Sequence, residues 1–267
     1  MKEEKIKEII NAQVAALSKL RAKMSDGFDK DTIHRFRVAF KSLRSFLRML
    51  RMYIKKAGLK LPKKIKRLYH IAGAIRDAQL KLEKTEQHGL AIPGYTQHLR
   101  NIILQQKNEW DLHYSKKTLR KLGARFAAFE CGPVHPVTMA GFIDSKIISI
   151  DSLCRLALLT DNQLHTIRKL MKDVIYTAGI AEKNWKTAFE KIKETDIAAF
   201  SLLAAAIGDY NDERALLEHL IPFSSRQNAQ DKKIIKTFCT KKAAEQKSRK
   251  QNIIAEVQRV ITSGIHG

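Results

Sequence analysis

Apolar residues recur three and four apart through most of the chain. Ile6, Ile9, Ile10, Val14 and Leu17 place one helical face over residues 3–22, and Ser25-Asp26-Gly27 interrupts it. A second helix is predicted from Asp31 or Thr32, either of which can cap it, to about Lys56, with Gly58 as its stop. Pro62 suits the first turn of a third helix that runs to about Gln87. Gly89 and Pro93-Gly94 mark a turn before a fourth helix, roughly 95–121. Gly132, Pro133 and Pro136 make residues 130–136 the best linker, in mid-chain. Helices resume at about 139–158, 162–179, 183–207, 211–220 and 227–263. Ile147-Ile148-Ser149-Ile150 comes nearest to a strand pattern and reads as helix. The predicted fold class is all-α.

The two halves repeat. His34-x-x-Arg37 is followed by Lys41 and then by Arg76-Asp77; His165-x-x-Arg168 is followed by Lys172 and then by Asn211-Asp212. His and Asp stand 43 residues apart in the first half and 47 in the second. A period this long predicts two duplicated helical bundles and not a solenoid.

Composition agrees with helices and adds a charge. Glycine and proline number 12 and 5 in 267 residues, and 44% of the residues are hydrophobic, enough for a proper core. Lys and Arg number 50 against 27 acids, a formal net charge of +23. Such a chain attracts polyanions: RNA, DNA, an anionic membrane surface or an inorganic polymer. Three scattered cysteines without a CxxC predict reduced thiols and a cytoplasmic location. Cys131 and His135 have the spacing of half a metal site, but no second pair accompanies them. Early acids at Glu3 and Glu4 argue against a secretory leader, and no apolar run is long enough to span a membrane.

The charge has a pattern. On the second helix His34, Arg37, Lys41, Arg44, Arg48 and Arg51 fall within about 100° of arc, opposite Phe40, Leu43, Leu47 and Leu50. The apolar face must pack, so the basic face must meet solvent. An ordinary solvated face interleaves acids one turn away to relieve repulsion. Here Thr32–Arg76 contains no acid and 14 Lys and Arg. A helix tolerates that repulsion when a ligand gains from the field. On the third helix Lys63, Lys66, Arg67 and His70 share a face with Asp77, while Arg76 lies about 100° away. Asp77 is read as an orienting partner for a cation. In the second half His165, Arg168, Lys169 and Lys172 cluster, Tyr176 is close by, and Asp173 dilutes the stripe.

These motifs resemble a known family. His34-x-x-Arg37-x-x-x-Lys41-x-x-Arg44 with Arg76-Asp77 is similar to the first repeat of the CHAD family, the conserved histidine α-helical domain. His165-x-x-Arg168-x-x-x-Lys172 with Tyr176, then Gly208-Asp209-Tyr210-Asn211-Asp212, resembles the second. The resemblance covers about residues 5 to 262. It implies two pseudo-symmetric four-helix bundles, 1–130 and 131–267, forming one domain with a basic central channel or groove. It implies binding of inorganic polyphosphate and, in some members, association with polyphosphate granules. His34, Arg37, Lys41, Arg44, Arg48, Lys63, Lys66, Arg67 and Arg76 would contact the ligand from the first repeat. His165, Arg168, Lys169 and Lys172 would do so from the second. Asp77, Tyr176, Asn211 and Asp212 would support them. Ile175 stands where the second repeat usually carries another Arg, which weakens that side. Family members are often joined to a triphosphate-processing CYTH domain; its strand ladder of Glu and Lys is missing here, so no catalytic role, metal or cofactor is expected.

The alternative is an RNA- or DNA-binding helical protein, which would want aromatic platforms beside the cations. Phe36, Phe40 and Phe46 lie on the core side, leaving Tyr53 and Tyr176 as the only exceptions. A phosphohydrolase is disfavoured because the chain has no HExxH, P-loop or Gly-rich phosphate cradle. A membrane-surface protein is disfavoured because the apolar face is needed for the core.

Overall fold

A computed structural model describes residues 1–54, 59–113, 116–128, 130, 132–156, 158–184 and 194–265. The described residues are helical, in the order α1 (Glu3–Met24), α2 (Lys30–Tyr53), α3 (Lys63–Gln87), α4 (Pro93–His113), α5 (Lys116–Ala127), α6 (Pro136–Cys154), α7 (Asp161–Asn184), α8 (Glu194–Ser224) and α9 (Ala229–Ile265). No strand occurs among them, so the all-α expectation holds. The expected end of the second helix at Lys56 and Gly58 lies outside the described residues, as does Cys131.

Helix ends differ from the sequence reading in specific ways. Asp29, not Asp31 or Thr32, caps α2: its side chain accepts from the Thr32 amide at 2.8 Å. The cap thus lies one turn before the acid-free stretch, and its carboxyl pKa is held below the usual range, chiefly by that backbone hydrogen bond. Gly89 closes α3 with a left-handed φ of +63°, which a residue with a Cβ adopts only with strain, and its amide bonds back to the Glu86 carbonyl. The helices expected at 183–207 and 211–220 do not break at Gly208. Glu194–Ser224 is one helix, and Gly208 is buried within it. A glycine lowers helix propensity without forbidding the conformation.

Two compact units emerge, and each draws on both sequence halves. The first comprises Met1–Arg76, Leu104–Lys146 and Asp173–Ile197; the second comprises Asp77–Ile103, Ile147–Lys172 and Ala198–Gly267. Helices α3, α4, α6, α7 and α8 contribute to both.

In the first unit α1 packs against α2 and α5. Ile6, Ile10 and Leu17 of α1 are fully buried, as are Phe36, Phe40, Leu43 and Leu47 of α2, the positions opposite the basic row. Burying a side chain of this size contributes roughly 1.5–3 kcal/mol. Trp110 closes this core edge-on against Phe28 and Phe36, at 5.9 and 5.4 Å between ring centres. The core of the second unit joins Ala78, Tyr95, Leu99, Leu216, Leu220 and Ile235. Beside it Glu213, 4% exposed, is held by Lys84 at 3.1 Å and His88 at 2.8 Å.

Candidate functional site

In the first unit the apolar face of α2 fixes the direction of its opposite, basic face. His34 is exposed there, and Arg37, Lys41 and Arg44 are half-buried beside it. Their partner surface on α3 is the line Tyr69, Gly73 and Arg76. Tyr69 stacks on Phe40 with ring centres 4.2 Å apart. The guanidinium carbons of Arg37 and Arg44 lie 5.1 and 5.8 Å from the Tyr69 ring centre. One aromatic ring thus steadies two like charges by cation–π attraction. The Arg37 guanidinium also rests where a Cβ on Gly73 would be.

Among the described residues, two donors in this row have no protein partner. Arg44 Nε and Arg76 Nη1 are both buried and make no hydrogen bond. A buried donor left unmatched costs about 1–3 kcal/mol, which an incoming acceptor would relieve. His34 feels the same field. Partial desolvation first, then Arg76, Lys41 and Arg37, push its pKa below the usual 6.5 against the opposing pull of Asp31.

The C-terminal part of the row opens into a cleft of about 300 Å³. Arg44, Arg48, Arg51, Lys60 and Lys66 rim it above an apolar floor that includes Leu47 and Leu61. Arg48 is only partly available, because its Nη1 lies 2.8 Å from Asp173 Oδ2. Asp173 therefore does not dilute a second stripe at the surface. It is 7% exposed and serves as the counter-ion of Arg48.

The expected α3 stripe divides. Lys63, Lys66, Arg67 and His70 line a separate cleft of about 730 Å³ with Gln105, Gln106 and Glu109 of α4. Arg67 is paired there with Glu109 at 3.0 Å. Of these α3 cations, Lys66 also reaches the cleft at the end of α2.

In the second unit the start of α7 carries His165, Arg168, Lys169 and Lys172. Lys169 is exposed and the others half-buried. Arg168 Nε donates to the Ala204 carbonyl at 2.9 Å, and its guanidinium lies over Gly208. Burial, then Arg168, lowers the Lys172 pKa. Asp212 is raised by burial, with Arg168 and Lys84 pulling it down and Asp77 and Asp209 pushing it up. Both side-chain amide atoms of Asn211 are buried without a hydrogen-bond partner among the described residues. Tyr176 is half-buried further along α7, within the first unit.

Three contributors lie outside the predicted sites, besides Arg51, which the basic face of α2 already includes. Lys60 lies in a loop without periodicity. Tyr69 is an aromatic within the row, although only Tyr53 and Tyr176 were expected there. Gly73 is legible in one comparison: Gly73 and Gly208 each stand four residues before the motif Asp. Among the described residues no three His, Cys, Asp or Glu come together in a way that could hold a metal ion. None of their helices is long and apolar enough to cross a membrane.

Paired His-x-x-Arg helices, each with its Arg laid on a glycine of a second motif helix, define an all-helical, cation-presenting domain. The chain belongs to the CHAD domain family, whose model matches residues 8–221. The crystal structure of the CHAD domain from the plant Ricinus communis is similar, with a TM-score of 0.75 and 15% identity over 97% of this chain and 91% of that one. No curated protein matches the sequence.

Proposed function

We propose that this protein binds inorganic polyphosphate and does not hydrolyse it. The observation that carries this reading is the row His34, Arg37, Lys41 and Arg44, together with Arg76. It has no acid within its own sequence stretch, and it keeps buried N–H donors at Arg44 and Arg76 without acceptors among the described residues. A phosphate chain carries about one charge per unit and no sequence, so spaced donors along a surface suffice for it. Arg supplies a fork matched to two phosphate oxygens, and Lys a mobile point charge. Membership of the CHAD family supports the same ligand. His165, Arg168, Lys169 and Lys172 are proposed as the second set of contacts, with Asn211 and Asp212 supporting. Lys63, Lys66 and Arg67 are proposed as outlying contacts, Arg67 weakened by Glu109.

Nucleic acid is the weaker reading. Tyr69 does lie among the arginines, but Phe40 stacks against it and Arg37 and Arg44 lie over it, which leaves little ring for a base. A cytoplasmic location with association to polyphosphate granules belongs to the proposal. Incubation of purified protein with long-chain polyphosphate and divalent ions tests it. Retention of the polymer without release of free phosphate is expected; release that tracks the protein contradicts the non-hydrolytic reading.

A further inference from the structure

The His-x-x-Arg arginines are both in contact with a glycine, and in both cases a Cβ on the glycine would require the arginine's end to move. A Cβ on Gly208 would lie 2.8 Å from Arg168 Nη2 and 3.1 Å from its Nε. A Cβ on Gly73 would run into Arg37 Nη1 at closer range still. Neither glycine has a left-handed backbone, so conformation does not require it. Each lies inside a long helix, where alanine is intrinsically favoured.

The backbone explains what the missing side chain allows. A helical Cβ tilts toward the N-terminus and covers the turn before it. At position 208 it would screen the Ala204 carbonyl, the group that accepts the hydrogen bond from Arg168 Nε. Its absence lets the guanidinium lie flat on the helix. There its Nε is fixed by the backbone carbonyl of Ala204. At Gly73 the Tyr69 ring, one turn earlier on α3, takes part in holding Arg37.

We propose that Gly73 and Gly208 are positioning residues: they are the seats that hold the forks of Arg37 and Arg168 in the orientation that receives a phosphate oxygen pair. This rests on the polyphosphate reading and extends it to two residues that touch no ligand. The geometry also predicts an unusual outcome on substitution. The atoms that a new Cβ meets are the far ends of flexible side chains. The arginine therefore swings away and the helix stays intact.

The test uses Gly73→Ala and Gly208→Ala in the full chain, with Gly179→Ala as a control, since a Cβ there meets nothing within 4 Å. Polyphosphate affinity and the thermal midpoint are measured for each. Gly73→Ala and Gly208→Ala should each bind about tenfold more weakly, the size of one lost charge-assisted contact, with midpoints unchanged or raised. Gly179→Ala should bind as wild type. In an Arg37→Gln background, Gly73→Ala should add almost nothing, because the group it displaces is already gone. Wild-type binding with unaffected Gly73→Ala and Gly208→Ala variants overturns the seats alone. So do losses for Arg37→Gln and Gly73→Ala that simply multiply. A wild type that does not hold polyphosphate overturns the binding reading and the seats with it.

Discussion

Arg48 Nη1 lies 2.8 Å from Asp173 Oδ2, so a cation from the middle of the basic row is matched to an acid 125 residues later. The Asp173 end of the pair is buried. Ser45, fully buried one turn before Arg48, donates to the Asp173 carbonyl at 3.0 Å and shares a hydrogen bond with Thr177 at 3.1 Å. Arg48 therefore acts first on stability. Arg48→Ala would leave the Asp173 carboxylate buried without its partner. A loss on the order of 2 kcal/mol is expected, below the 3–5 of a fully buried pair, because Arg48 is 45% exposed. Thermal or denaturant unfolding measures it. Asp173→Asn frees a cation and should strengthen polyphosphate binding while costing stability.

Affinity should separate from stability along the row. Among the described residues Arg44 has no acidic partner and keeps an unmatched buried Nε, whereas Arg67 is already paired with Glu109. Arg44→Glu should weaken polyphosphate binding by more than about tenfold. Arg67→Glu and Lys169→Glu should each cost less. Titrations of the three variants against one polymer at fixed salt compare them. Equal, small losses at all three would mean that bulk charge alone governs binding.

His34 makes binding depend on pH. Without ligand its pKa lies below 6.5, through partial desolvation and the nearby Arg76, Lys41 and Arg37. A bound phosphate chain reverses that local potential and raises it. The bound-state pKa then exceeds the free-state value, and binding takes up a proton. The added affinity is complete below the free-state pKa and is lost as pH rises through the bound-state pKa. Polyphosphate should thus bind more tightly in mildly acidic than in mildly alkaline solution, and His34→Gln should flatten the slope. Folding shows the opposite trend: the depressed pKa makes this residue's contribution fall as pH drops from 6.5 toward the folded value. Affinity and midpoint measured across that range at constant ionic strength check both signs.

The helical fold and the α2 row were legible because both rest on periodicity within a single element. The face of α2 that packs is written in Phe40, Leu43 and Leu47, and its opposite follows. Pairings between distant segments were not legible. Asp173 reads as an acid among lysines on α7, and nothing local reveals that it is buried against Arg48. Tyr69 carries no mark in the sequence, because its place beside Arg37 and Arg44 depends on how α3 is rotated against α2. Gly208 reads as an interruption, because glycine is judged by propensity; its use as a space for another side chain needs the partner in place.

Competition between polyanions tests the central claim most directly. Long-chain polyphosphate, RNA and DNA are matched in phosphate concentration at physiological salt, and each is allowed to displace a labelled sample of the others from the protein. Polyphosphate is expected to displace both nucleic acids and to resist displacement by them. Its affinity should fall steeply as salt is raised, because each contact releases counterions. Displacement of bound polyphosphate by RNA or DNA under these conditions would contradict it.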